Sequence, residues 1–383
     1  MKVANIFKNI WFRTSIIVLI SFLLAVCVRR EILTYSDVLP IENNMDFIAS
    51  DLYSATLHRS PIHRKSKEVV IVSANDCTRE EIYRCAKKVL NFSPSLVAFD
   101  IIFEFPHPSD SILNQLLVHD RLVFASYLLD VDSSANASGI DQSCFYSYDN
   151  YKTGVINLMT TSSNVIREFR PLFTLKGKEV YNCFAGEIVK LYNPSKLVTL
   201  VKRNIDSLPI SYHKVDFEEI PLKQLLNGDV QCDVFKDKIV IIGVTNDPSD
   251  QFDTPIGHNY PGVLIHANIV DTILQENYIT DCRNWFNYII SIIVTFMFMI
   301  MFLYLKKNVD EFSGIIMRLV QIMILFILYY LGVLLYNSNI YMNCMLPMLT
   351  IAFSSIVTDI ILGLEHITEK YGKIWVSRLK ELL

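Results

Sequence analysis

Four long apolar segments, unevenly placed, constrain this chain more than any other feature. Trp11 to Val28 lies near the start, and Trp285 to Leu305, Leu319 to Tyr336 and Cys344 to Leu364 crowd into the last stretch. A helix needs about 20 mostly apolar residues to cross a bilayer, and each segment meets that need. Arg13 sits in the first turn of the first segment, where a long side chain reaches the interface. The second has no charge, the third only Gln321 as a strongly polar break, and the fourth carries Ser354, Ser355, Thr358 and Asp359 among apolar residues. Four transmembrane α-helices follow, with a long polar region between the first and second.

Basic residues in short loops mark the cytoplasmic side. Lys2 and Lys8 precede the first span, Lys306, Lys307 and Arg318 lie between the second and third, and Lys370, Lys373, Arg378 and Lys380 follow the fourth. The loop from Tyr336 to Asn343 has no basic residue. Only Arg29 and Arg30 argue the other way, so both termini are placed in the cytoplasm. The expected layout is 1–10 inside, 11–28 as span, 29–283 outside, spans at 285–305, 319–336 and 344–364, and 365–383 as a cytoplasmic tail. A basic start and an apolar run also fit a cleaved signal peptide, but the length of the first segment favours an anchor. Leu24-Ala25-Val26-Cys27 approximates a lipoprotein site, yet Val26 stands where a small residue is wanted, so Cys27 reads as apolar packing.

Residues 29–283 suffice for one large domain with a proper core. Val69 to Val72 is a run of branched apolar residues of the kind a parallel strand shows when both faces are covered. Thr78 and Glu81 form a capping-box pattern before Ile82, Ala86, Val89 and Leu90 at helical spacing, and Pro94 ends that region. Leu96 to Phe99 begins a second strand, which Asp100 to Glu104 carries to its end. Ser109 or Asp110 caps a further helix, and Leu122 to Ser126 is a third strand. Strand, helix, strand, helix, strand predicts an α/β fold with a mostly parallel sheet and flanking helices. Lys238 to Gly243 and Val263 to Leu274 repeat the grammar and join the same sheet. Between these ends the pattern reads as a strand at Gly154 to Leu158, a helix at Val180 to Tyr192, a hairpin-like excursion at Leu197 to Tyr212, and a loop at Asp130 to Gln142.

These stretches carry a resemblance. Val69 to Asp76, Val97 to Phe103 and Val165 to Arg170 take part, and above all Phe235 to Leu274, with Asp253-Thr254-Pro255-Ile256-Gly257 and Pro261-Gly262-Val263-Leu264-Ile265-His266-Ala267-Asn268. The chain resembles the type-2 CHASE domain, an extracytoplasmic sensory module of bacterial membrane receptors, over nearly its whole length. The family's layout of one helix in, an outer domain and three closely spaced spans is similar too. Family members usually place a kinase or cyclase after the last span. Here the 19 residues 365–383 are too few for such a domain, so output is expected from a separate cytoplasmic signalling protein. Ile367, Tyr371, Ile374, Trp375 and Leu379 alternate with charges at roughly helical spacing, which suits either an amphipathic helix or a plain anchor flank.

In open parallel sheets ligands bind beyond the carboxyl ends of the strands. Asp76, Asp100, Glu104, Thr245, Asp250, Asp253, Thr254, His266 and Asn268 are the candidate ligand-binding residues on that rule, with Asp247 at the same edge. Such residues also cap helices and tie loops without any ligand. An enzymatic reading would make Asp100 and Glu104 an acid and base sharing one strand face. No nucleophile elbow, phosphate loop or dinucleotide glycine pattern accompanies them, so the chain is read as non-enzymatic and free of cofactors. Asp247, Asp250 and Asp253 do not match a helix-loop-helix calcium loop, and His258 and His266 lack paired zinc spacing. Cys77, Cys85, Cys144, Cys183, Cys232 and Cys282 lie in the outer domain with their pairing open; Cys77 and Cys85 bracket a helix, and some buried free thiols are expected.

The net charge of -4 leaves no footprint for nucleic acid. Asp359 is costly within a bilayer, but with Glu365 and His366 nearby it reads as reaching interfacial water; a transporter would show more spans and internal symmetry. The expected partners are the lipid bilayer, an unidentified extracytoplasmic ligand or protein, and the separate cytoplasmic protein, with homo-oligomerisation open. The expected location is the bacterial cytoplasmic membrane. A sensor or receptor is the leading reading. A non-switching envelope scaffold that uses the same domain for docking is the alternative.

Overall fold

The computed structural model describes residues 9–34, 45–59, 64–116, 119–132, 134–143, 152–159, 165–282, 284–308 and 313–381. Cys144 lies outside these. The chain forms two compact units, one of Met1–Tyr53 with Thr280–Leu383 and one of Ser54–Ile279. Helix α1 (Ile10–Thr34) opens the first unit, and α2 (Met45–His58) follows.

The second unit is α/β. Its elements begin with β1 (Arg64–Ser73), α3 (Arg79–Leu90), β2 (Leu96–Asp100), α4 (Asp110–Leu116) and β3 (Leu122–Leu129). Short strands β4 (Asn136–Ala137), β5 (Gly139–Gln142), β6 (Thr153–Val155), β7 (Glu168–Phe169), β8 (Leu172–Leu175) and β9 (Glu179–Asn182) come next. Helices α5 (Phe184–Tyr192) and α6 (Pro194–Lys202), strands β10 (Leu208–Pro209) and β11 (Val215–Pro221), helix α7 (Leu222–Asn227), and β12 (Ile239–Gly243), β13 (Gln251–Thr254), β14 (Gly257–Pro261) and α8 (Gly262–Leu274) complete it.

Strand order in the main sheet is β11-β1-β12-β2-β3-β5, with β6 also on β3. Every pairing but β3 with β5 is parallel. β12 enters between β1 and β2, so the two distant strand-helix series do share one sheet. Successive residues bury on opposite faces. Val69, Ile71, Ala98, Val123, Ile239 and Ile241 pack towards α5 and α8, while Val70, Val72, Val97, Phe99, Phe124 and Ile242 pack towards α3 and α4. The rings of Phe99 and Phe124 stack at 4.9 Å on the second face. The Thr78 hydroxyl and Glu81 carboxylate make the reciprocal capping box at the start of α3.

Several local expectations need correction. β2 stops at Asp100 rather than Glu104. Its last pair with β12 is Asp100 opposite Gly243, and its last with β3 is Phe99 opposite Phe124, so Ile101 onward has no ladder to join. Asp100 and Glu104 therefore do not share a strand face. Val180 to Asn182 is strand, because a tight turn with positive φ at Lys176 and Gly177 folds β9 back on β8. The helix starts only at Phe184, capped by the Cys183 thiol at 3.2 Å from the Gly186 N–H. Leu197 to Lys202 is helix, begun by Pro194, whose missing N–H costs nothing in a first turn. Within 130–142, β5 lies antiparallel on the end of β3. Cys85 and Cys183 are buried free thiols, and Cys77 is free too.

In the helical unit, β15 (Thr280–Asp281), α9 (Asn284–Asn308), α10 (Ser313–Asn337), β16 (Ile340–Tyr341) and α11 (Met345–Glu381) follow. Four helices are long and apolar enough to cross a membrane, over Ile10–Val28, Trp285–Lys306, Gly314–Asn337 and Met345–Ile367. α1, α9 and α11 pack on one another around Ile17, Val18, Met299, Ile351 and Val357. Their contact faces carry Ser21, Ser291, Thr350 and Thr358, each hydrogen-bonding the carbonyl four residues earlier, so a hydroxyl is satisfied without leaving its own helix. Two charged pairs tie α11 to its neighbours: Arg13 of α1 with Glu365, and Arg318 of α10 with Asp359 at 2.5 Å and with Ser355. Asp359 is thus paired with Arg318 of the neighbouring helix. α11 runs unbroken past its apolar stretch to Glu381.

Candidate ligand cavity

A parallel sheet leaves the carboxyl ends of its strands at one edge, and here that edge encloses a cavity of about 630 Å³. β2 delivers Asp100 and, past its end, Ile101 and Ile102, while the segment after β12 delivers Val244 and Asp247. β3 contributes Tyr127, the segment after β6 contributes Ile156, Asn157 and Leu158, and α8 contributes His266. Ser249, Asp250 and Phe252 close the ring.

The loop after β12 carries Asp250 back into the cavity. Asp247 accepts from the Ser249 N–H at 2.8 Å and from its hydroxyl at 2.7 Å, which folds a single tight turn over Pro248–Asp250. These bonds to its charged form hold the Asp247 carboxyl below the usual range. Asp250 then lies on the first turn of α8, where the Gly262 N–H donates to it. A Cβ at Gly262 would sit 2.5 Å from an Asp250 oxygen, so only glycine leaves room for the carboxylate there. At the next strand end a Cβ on Gly243 would come within 2.7 Å of Val263 and 3.2 Å of the Asp100 Cβ.

Burial alone pushes the Asp100 carboxyl up to about 7. It makes no hydrogen bond or ion pair with any described residue. Asp250 is also pushed up to about 7, by burial first, then by Asp100 and Asp247, against the Gly262 N–H. The His266 imidazole is 4% exposed and burial drives it down to about 4, opposed by a hydrogen bond to the Ile156 backbone. Phe184 meets its ring edge-on at 5.4 Å. The cavity therefore holds two carboxyls whose ionisation burial opposes, and an uncharged imidazole.

Of the candidates read from sequence, Asp100, Asp250 and His266 line this cavity, and the others lie elsewhere. Asp76 is exposed in a left-handed turn, and Glu104 is exposed past the strand end. The acid-base pair of Asp100 and Glu104 is not assembled. Thr245 ties strand ends together, bonding Asn75 at 2.9 Å and Glu219 at 3.0 Å. Asp253 meets His258 at 2.8 Å, and Thr254 bonds the Gly257 carbonyl, both within the β13-β14 hairpin. Asn268 reaches the Tyr260 hydroxyl and the Leu264 carbonyl. Among the described residues no group of His, Cys, Asp and Glu is arranged to hold a metal ion.

The CHASE2 domain model matches residues 32–303, well over half the chain. The chain belongs to the CHASE2 domain family. The matched stretch takes in the whole α/β unit and most of α9, so the CHASE2 match contains every residue of the cavity. No curated protein and no solved structure matches the chain. Sequence reading missed Tyr127, Ile156 to Leu158, Ser249 and Phe252. Gly154 to Leu158 was legible as a strand, and applying the carboxyl-end rule to it would have found Ile156 to Leu158.

Proposed function

We propose that this CHASE2 chain is an integral-membrane receptor whose α/β unit lies outside the bacterial cytoplasmic membrane and binds a ligand in the cavity at the sheet edge. Asp100, Asp250 and His266 are its polar contacts, and both chain termini face the cytoplasm. A cytoplasmic signalling protein reads the state of the receptor, and the extension of α11 beyond its apolar stretch is the surface offered to it.

The cavity carries this reading. Its volume suits a small molecule, and its wall sets a group of converging polar side chains against an apolar part, as ligand sites do. The unpaired Asp100 carboxyl costs stability in a cavity without a partner, and such a cost persists where function uses the group. A ligand can shift the receptor only by binding two of its conformations unequally.

Hydrogen exchange on the full chain in nanodiscs, with and without the small-molecule fraction of spent culture medium, tests the site. Protection at 100–102, 156–158 and 247–252 is expected. Protection confined to other segments, or none, contradicts it. Orientation is tested with a cysteine in place of Ser195, on a background with the native cysteines replaced. A membrane-impermeant maleimide should label it in intact cells, and labelling only after lysis would reverse the topology.

A further inference from the structure

The walls of the cavity are rich in acceptors and poor in donors. Asn157 accepts from the Leu128 N–H at 2.7 Å and donates one of its two amide N–H groups to the Leu128 carbonyl at 2.9 Å, which leaves a single amide donor. The Ser249 hydroxyl is donated to Asp247. His266 uses one ring nitrogen on the Ile156 backbone, and its other nitrogen makes no hydrogen bond with any described residue. Because Ile156 favours the protonated nitrogen it meets, the second nitrogen of the neutral ring is an acceptor. Asp100 has no donor at all among the described residues, and Asp250 has the Gly262 N–H. Tyr127 supplies the one side-chain hydroxyl not already committed on the wall. Ile101, Ile102, Ile156, Leu158 and Phe252 make the remainder apolar and aromatic.

A ligand that completes this wall must bring hydrogen-bond donors and positive charge at one end and apolar surface at the other. We propose that the cavity binds an organic ammonium, a primary or secondary amine on an apolar body, with the ammonium between Asp100 and Asp250 and one N–H directed to His266. This assignment rests on the reading of the cavity as the ligand site and adds the chemical class. Two carboxylates side by side repel each other, and an ammonium between them converts that repulsion into two charge-assisted hydrogen bonds. An anionic ligand meets three carboxyls, counting Asp247, and is excluded. A divalent cation would need six or more oxygen ligands around it, whereas Asp247 is folded onto Ser249 and the described residues offer no His, Cys, Asp and Glu group arranged to hold a metal ion.

Protonation competes with the amine. Asp100 and Asp250 hold protons up to about 7, with Asp247, Tyr127 and the neutral His266 as the other titratable groups on the cavity wall and the Gly262 N–H as the fixed donor. Amine binding then releases protons below that point. Affinity should rise by about tenfold per pH step of one for each proton released, up to about a hundredfold where both carboxyls must ionise, and level off above about 7.

The test is calorimetric titration of the full chain in detergent at pH 8 with 2-phenylethylamine, tyramine and isoamylamine. Each is paired with the alcohol that replaces the ammonium, and calcium chloride is run alongside. At least one amine should bind, with its alcohol tenfold or more weaker. Asp100→Asn and Asp250→Asn should each weaken the amine at least tenfold and leave the alcohol unchanged. Both variants are isosteric and remove charge, so their melting temperatures should equal or exceed that of the parent and certify the fold. Alcohols binding as well as amines, amine binding indifferent to both substitutions, calcium binding in place of amines, or no amine binding at millimolar concentration would each overturn the assignment. A neutral or anionic compound that protects 100–102, 156–158 and 247–252 from exchange would overturn the amine and leave the cavity standing. Absence of protection there by any compound takes down the cavity itself.

Discussion

The two units place their charged groups differently. In the helical unit Arg13 and Arg318 find Glu365 and Asp359 on a neighbouring helix, so these four charges are matched in pairs. In the α/β unit Asp100 and Asp250 lie together at a cavity wall with no cation beside them. Matched pairs hold helices in register. Unmatched acids in a cavity are a cost that a structural role does not require, and that difference separates packing from a site. The α/β unit also matches charge where the fold needs it, as Arg64 with the buried Asp271 and Arg79 with Asp110 at 3.1 Å show.

The comparison breaks most visibly through the core of the α/β unit. Phe99→Ala deletes a fully buried ring stacked on Phe124 and should cost about 3–5 kcal/mol. Limited proteolysis should then cut within 54–279 while the helical segments stay membrane-embedded. Loss of both together would mean the units do not stand apart.

Asp100→Asn should act in the other direction and stabilise the chain by about 1–3 kcal/mol at pH 8, after allowing for partial exposure to the cavity, by less than half as much at pH 5, and by little only below about pH 4. The folded protein keeps this proton from the ordinary value of 3.8 up to about 7, so the acid favours folding at low pH and that advantage disappears as pH rises through 7. His266 has the opposite sign. Held down to about 4 from 6.5, it makes folding more favourable as pH rises across that interval. With the acids costing stability above 3.8 and His266 offsetting part of that cost up to 6.5, the parent should lose stability as pH rises from about 5 and level off above about 7. Denaturant midpoints of the parent and variant across pH 5 to 8 check both signs.

Arg318→Ala leaves Asp359 without its cation and should lower stability by about 1–2 kcal/mol in nanodiscs. The double variant with Asp359→Ala should cost less than the sum of the two single changes. Additive costs would show that the pair does not couple α10 to α11. The smallest effect expected is from Thr78→Ala, about 0.5–1 kcal/mol through loss of the α3 capping box. Its amide exchange should rise only in the first turn of α3.

Periodicity made the large elements legible. Val69 to Val72, Leu96 to Phe99 and Ile239 to Gly243 are buried on both faces and so are apolar throughout, and Thr78 with Glu81 announces a helix start. The short elements were harder to read because their cause is not local. Nothing between Leu96 and Glu104 says that neighbouring strands run out at Asp100. β11 is polar along Asp216 to Glu219 and is held as an edge strand by pairing with β1. The cavity was half legible. The carboxyl-end rule leads to Asp100, Asp250 and His266, but also to Thr245, Asp253 and Thr254, whose side chains are committed to loop bonds. Side-chain commitment is decided by tertiary approach, as at Gly262 beside Asp250, and no spacing in the chain encodes it.

Infrared spectroscopy of the full chain in lipid, comparing the parent with Asp100→Asn and Asp250→Asn, tests most directly whether unpaired acids line the cavity. At pH 6 the parent should show a protonated carboxyl band that each substitution diminishes and that fades as pH passes about 7. Both carboxyls fully ionised at pH 5, with no band lost in either variant, would contradict the account.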